Sequence, residues 1–143
     1  MTAISRKTLY LDCDGVILPS CQYTSEFIEL VVSRFDPVWI SDRHIGYRDG
    51  VIDFLEDFKK FLSAGDIEKL YRVRENPSSA FWKHERIDYE RDFIWIDDAP
   101  MGQDRDVLRE RGMENRLIIV KSWRPESMLS AINLLKKIAP AQI

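Results

Sequence analysis

The chain has 143 residues, of which 45% are hydrophobic and 31% charged, and a formal net charge of −3. These values fit one globular domain with a single core and argue against broad non-specific nucleic-acid binding, while leaving room for a local basic patch. No long apolar segment is present, so no signal peptide or membrane span is expected, and the two cysteines, Cys13 and Cys21, fit a reducing, cytoplasmic setting better than a disulfide.

Leu9-Tyr10-Leu11 runs straight into Asp12-Cys13-Asp14-Gly15-Val16. An apolar run bounded by glycine predicts a short buried strand over residues 8–13. Strand alternation sets Asp12 and Asp14 on one side and turns Cys13 toward the interior. Two carboxylates one residue apart repel each other, and a hard cation such as Mg²⁺ with oxygen ligands removes that penalty. Gly15 permits a tight turn or close approach of a ligand. Taken alone, the stretch fits an ordinary Asp-Gly turn with solvated aspartates equally well.

After a loop at Ile17–Tyr23 with Pro19 and Ser20, Thr24 or Ser25 caps a helix, and Phe27, Ile28, Leu30, Val31 and Phe35 recur at helical spacing. Asp36-Pro37 stops it, and Val38-Trp39-Ile40 is a second strand ending at Ser41-Asp42. A helix is expected from Asp49-Gly50, with Val51, Phe54, Leu55, Phe58 and Leu62 buried and Gly65 as its end. Leu70, Tyr71 and Val73 are candidates for an edge strand, and Ala80–Ile87 reads as a short helix carrying Lys83 and His84. Phe93–Ile96 is a strand that ends in Asp97-Asp98, repeating the design of the first. A helix over Asp104–Arg111 stopped by Gly112, a strand at Leu117–Val120 and a helix over Ser127–Ile138 complete the chain. Strands alternating with helices indicate an α/β fold, a single doubly wound parallel sheet of Rossmann-like type with helices on both faces.

The chemistry-bearing positions then gather at strand ends. Asp12 offers a nucleophile, and Asp14 an acid or base two residues on. Ser41 offers a hydroxyl and Lys83 a positive charge for a phosphoryl group, with Lys59 and Lys60 as competitors for the lysine role. Asp97 and Asp98 supply further oxygen ligands. His44 and His84 lack metal-ligand spacing and suit surface or capping roles. Asp104 and Asp106 suit a solvated helix start, Arg105, Arg109 and Arg111 an exposed helix face, and the four tryptophans core or loop anchoring.

The pattern resembles the haloacid-dehalogenase-like superfamily of phosphohydrolases. A hydrophobic run then D-x-D-G-V matches at Leu9–Val16, a strand ending in a hydroxyl at Val38–Ser41, a helical lysine at Lys83, and a strand ending in an acid pair at Trp95–Asp98. The small size is similar to a compact, capless branch that includes domains of RNA-repair proteins. The resemblance implies a Mg²⁺-dependent phosphomonoester hydrolase with Asp12 as nucleophile and Asp14 as general acid/base. Ser41 and Lys83 would bind phosphate. The metal would sit on Asp12, the backbone carbonyl of Asp14, and Asp97, with Asp98 assisting. Without a sizeable cap the site would be open, which by family analogy serves large phosphorylated partners such as nucleic acid or protein. The alternative is a silent domain that keeps the fold and binds or regulates without turnover. The departure from the pattern is Asp42-Arg43-His44 after Ser41, where many relatives carry small or apolar residues.

Overall fold

The computed structural model describes residues 6–42 and 55–141. The expected helix start at Asp49-Gly50, with Val51 and Phe54, lies outside these residues, as do Arg43 and His44. The described part is a four-stranded, all-parallel sheet of β1 (Thr8–Leu11), β2 (Asp36–Trp39), β3 (Phe93–Asp97) and β4 (Leu117–Ile119), in the spatial order β2-β1-β3-β4. Four helices accompany it: α1 (Thr24–Arg34), α2 (Ala64–Leu70), α3 (Gly102–Glu110) and α4 (Pro125–Ile138). From β1 the chain moves outward to β2, then crosses to β3 on the other side. The β1/β3 boundary is therefore the switch point, where open α/β sheets bind ligands beyond their carboxyl ends.

Alternation along the strands divides the core in two. Leu9, Leu11, Trp39, Ile94 and Ile96 face one layer, filled by α1, α2 and α4 through residues such as Phe27, Val31, Leu70, Met128 and Ile132. Tyr10, Val38, Ile40, Phe93 and Trp95 face the other, which is covered by Leu108 of α3 and by Ile87 and Tyr89 of an irregular segment. One face thus carries three helices and the other one helix plus a loop.

Several boundaries differ from the sequence reading. Gly65 does not end a helix; it lies in the first turn of α2, because Ser63 Oγ accepts the Asp66 N–H at 3.1 Å and starts a new helix there. That helix takes Leu70, so the expected edge strand at Leu70–Val73 is reduced to one parallel bridge between Arg74 and Val38. Pro37 is tolerated in β2 because the outer edge of that strand is where its nitrogen points: Asp36 and Ile40 donate to β1, and Trp39 donates outward to Arg74. Ala80–Ile87 is not a helix apart from one 3₁₀ turn at Lys83–Arg86. Pro125 begins α4 two residues early, since its fixed φ suits the first helical position. Among the described residues no helix is long and apolar enough to cross a membrane. Neither cysteine forms a disulfide, and Cys13 is buried as expected.

Candidate functional site

Backbone pairing continues past the strand ends. Asp12 donates its N–H to Ile96 O at 3.0 Å, Ile40 to Leu11 O at 3.0 Å, and Val120 to Asp97 O at 3.1 Å. These bonds fix Asp12, Ser41 and Asp97 at one edge of the sheet, Asp12 and Asp97 on the two strands that flank the switch point. Asp12 is 5% exposed, Asp97 1% and Ser41 1%.

One carboxylate oxygen from each of Asp12, Asp97 and Asp98 lies within 4.8 Å of the others. Lys83 Nζ enters this group, donating to Asp97 Oδ2 at 2.8 Å and lying 3.3 Å from Asp12 Oδ1. The other oxygen of Asp97 accepts the Ala99 N–H at 3.0 Å, so its carboxylate is held from both sides. Burial, and then the neighbouring Asp97 charge, push the Asp12 carboxyl up to about 8, against the pull of Lys83. Burial works against the Lys83 ammonium, but Asp12 and Asp97 outweigh it and hold its pKa above the ordinary value. One ammonium among three carboxylates leaves the cluster short of positive charge, and an all-oxygen donor set of this kind fits a hard divalent cation.

Asp14 lies beyond the strand, where alternation no longer applies. The strand ends at Leu11, and the chain curls so that Val16, Ile17 and Leu18 all turn their N–H groups to Cys13 O. Asp14 is exposed and its carboxylate is not one of the three in the cluster. Gly15, at φ +82°, completes the curl, and a Cβ there would collide with the Asp98 carboxylate. Gly15 is thus required twice, for its backbone conformation and to leave room for Asp98. Its carbonyl accepts the Ser122 N–H at 2.8 Å, tying the turn to the chain after β4.

Lys83 reaches the acids because its segment is clamped on both sides. Arg86, 5% exposed, donates to Ala80 O at 2.7 Å, Phe81 O at 3.2 Å and Ile40 O at 3.2 Å, and pairs with Asp42 at 2.6 Å. One guanidinium therefore joins the Lys83 segment to the end of β2. Asp104, expected in solvent, is 1% exposed. It accepts the His84 N–H at 3.1 Å and lies 2.7 Å from His84 Nδ1, fixing the residue next to Lys83 to α3. Tyr89 adds a hydrogen bond to His84 O at 2.7 Å. Lys59 is exposed and paired with Glu56 at 2.7 Å, so Lys83 is the lysine the fold delivers to the acids. Trp39 and Trp95 are core residues, as expected, whereas Trp123 is exposed.

Arg86, His84 and Asp104 carry no motif by which the sequence could have marked them as supports. The one available signal was the density of side chains able to bond backbone between Asn76 and Tyr89. No protein-family model matches the chain, and no curated protein or solved structure matches it either.

Proposed function

We propose that this chain is a Mg²⁺-dependent phosphomonoester hydrolase acting through an aspartyl-phosphate on Asp12. The observation that carries the reading is the meeting of Lys83 with Asp12 and Asp97, beside Asp98, at the switch point of a parallel sheet. Held on the backbone of the β1 end, an Asp12 oxygen attacks phosphorus, and the ester oxygen departs with a proton from Asp14. Asp14 then takes a proton from the water that attacks the aspartyl-phosphate. The bond between phosphorus and Asp12 breaks, releasing inorganic phosphate and regenerating the carboxylate.

Lys83 offsets negative charge at the phosphoryl oxygens, and the Ser41 hydroxyl would hydrogen-bond one of them. Asp12, Asp97 and Asp98, with the backbone carbonyl of Asp14, would hold Mg²⁺, which supplies further charge neutralisation there. Residues 12–23 join β1 to α1 without a regular element. That openness on this side favours large phosphorylated substrates, such as nucleic-acid or protein phosphates.

The test is phosphate release from an aryl phosphate with and without Mg²⁺, for the parent and Asp12→Asn. Mg²⁺-dependent release that vanishes in the variant is expected. Equal release from both would overturn the covalent route. No release from either, extended to phosphorylated oligonucleotides and phosphopeptides, would favour a silent binding domain.

A further inference from the structure

At the opposite end of the sheet, where the strands begin, a groove of about 530 Å³ is lined by four arginines, Arg6, Arg72, Arg74 and Arg91. Among the described residues Asp36 is the only carboxylate lining it, and buried Phe35 forms part of its floor. In a chain of net charge −3 this is a concentrated exception. The arginines come from three separated places: before β1, the segment after α2 that carries both Arg72 and the bridge residue Arg74, and before β3. The fold therefore gathers them; no run of basic residues does.

Their existing partners leave most of the charge available. Arg74 is taken up by a two-pronged pair with Asp36 at 2.9 and 2.7 Å. Arg6 Nη1 reaches only Val32 O, at 3.5 Å. Arg91 meets Asp88 at 3.6 Å, with both side chains largely exposed. Among the described residues the Arg72 side chain has no hydrogen-bond or ion-pair partner. Arg74 and Arg91 also line a second hollow, of about 340 Å³, which runs along the sheet face past Tyr10 to Arg86.

We propose that this groove binds a chain of phosphate groups. Guanidinium forks match phosphate oxygens in pairs, and several forks around one concavity suit several phosphates in succession. Among the described residues the one aromatic in the groove, Phe35, is buried at 1% exposure and offers no ring for stacking a base, so recognition would fall on phosphate. A free oligophosphate and the backbone of a nucleic-acid strand share this chemistry. The site is separate from the acid cluster, since β1 and β2 run their full length between the two.

The test is calorimetric titration of the full chain, in chelator at low salt, with inorganic tripolyphosphate, a single-stranded oligonucleotide and a glutamate oligopeptide. Arg72→Gln/Arg91→Gln is the variant of choice, because neither side chain holds the fold, and an unchanged melting curve verifies that. Saturable binding of tripolyphosphate or the oligonucleotide is expected, weakened about tenfold or more in the variant, with a log–log salt slope smaller by about two. Tripolyphosphate binding would assign a free oligophosphate, and binding of the oligonucleotide alone a nucleic-acid strand. The proposal is overturned if neither phosphate ligand binds, if the variant binds equally well, or if the glutamate peptide binds as tightly as the phosphates. None of these outcomes depends on hydrolysis.

Discussion

Lys83 Nζ sits 2.8 Å from Asp97 Oδ2, so the residue that opens the 3₁₀ turn before β3 is bonded to the residue that closes β3. The Lys83 side chain is 17% exposed and that of its partner 1%, so the pair is largely shut off from water. Replacing the lysine leaves Asp12 and Asp97 facing each other uncompensated. We expect Lys83→Met to destabilise the metal-free protein by about 3 kcal/mol in denaturant titration. Added Mg²⁺ should recover part of that loss. A variant as stable as the parent in chelator would show that the pair is energetically idle.

Asp12 gives a pH prediction with a definite sign. Its folded pKa, raised by burial and then by Asp97 from 3.8 to about 8, exceeds the unfolded one. The folded state therefore holds the proton more tightly, and ionisation costs stability as pH climbs from about 4 to about 8. In chelator, the parent melting temperature should fall across that window relative to Asp12→Asn, which cannot ionise. Parallel curves for the two proteins would contradict the strained carboxylate. Divalent cation should flatten the parent curve, because a nearby positive charge favours the ionised form.

Gly15→Ala should be costly in two ways. The φ of +82° penalises any Cβ by about 1–2 kcal/mol, and this Cβ would also displace the Asp98 carboxylate. Lower thermal stability together with weaker Mg²⁺ binding by calorimetry is expected. Loss of stability with metal affinity intact would remove Asp98 from the ligand set. Asp97→Asn, tested alongside, should weaken the Mg²⁺ dependence of phosphate release severely.

Arg86 predicts an asymmetry between conservative and drastic change. Its planar head satisfies three carbonyls, those of Ile40, Ala80 and Phe81. An ammonium cannot span the same set, so Arg86→Lys should behave nearly as badly as Arg86→Ala, each losing about 3 kcal/mol in chemical denaturation. If Lys rescued the Ala variant fully, charge near Asp42, not the fork geometry, would be the operative contribution.

The strands β1, β3 and β4 were legible in the sequence because each is a short apolar run ending at a turn or an acid. Asp12, Asp97 and Asp98 were legible for the same reason: sheet pairing brings strand ends together whatever lies between them. Alternation could not fix where Asp14 lies, because alternation is a property of strands and the strand stops before it. Leu70 was misread because its fate depended on Ser63, seven residues upstream, starting a helix. Asp104 looked like an ordinary acid in a first helical turn, since the His84 N–H that it accepts is contributed from 20 residues away. Lys83 was singled out over Lys59 and Lys60 on weak grounds, and what brings it to the acids, the Arg86 and Asp104 clamps, is tertiary and leaves no periodic trace.

The unequal cover of the two sheet faces bears on how the molecule breathes. Three helices lock β1 from one side, while residues 76–92 cling to the other through bonds between side chains and backbone, including Arg86 to Ile40 O at 3.2 Å and Asp88 N–H to Tyr10 Oη at 2.9 Å. Such a strap can lift as a cooperative unit without melting the helical layer. The acids would then stay in place while Lys83 leaves with the strap. Amide protons of the strap should exchange with solvent ahead of those in β1 and β3, and the acid cluster would alternate between a lysine-capped and an uncapped state on that same clock.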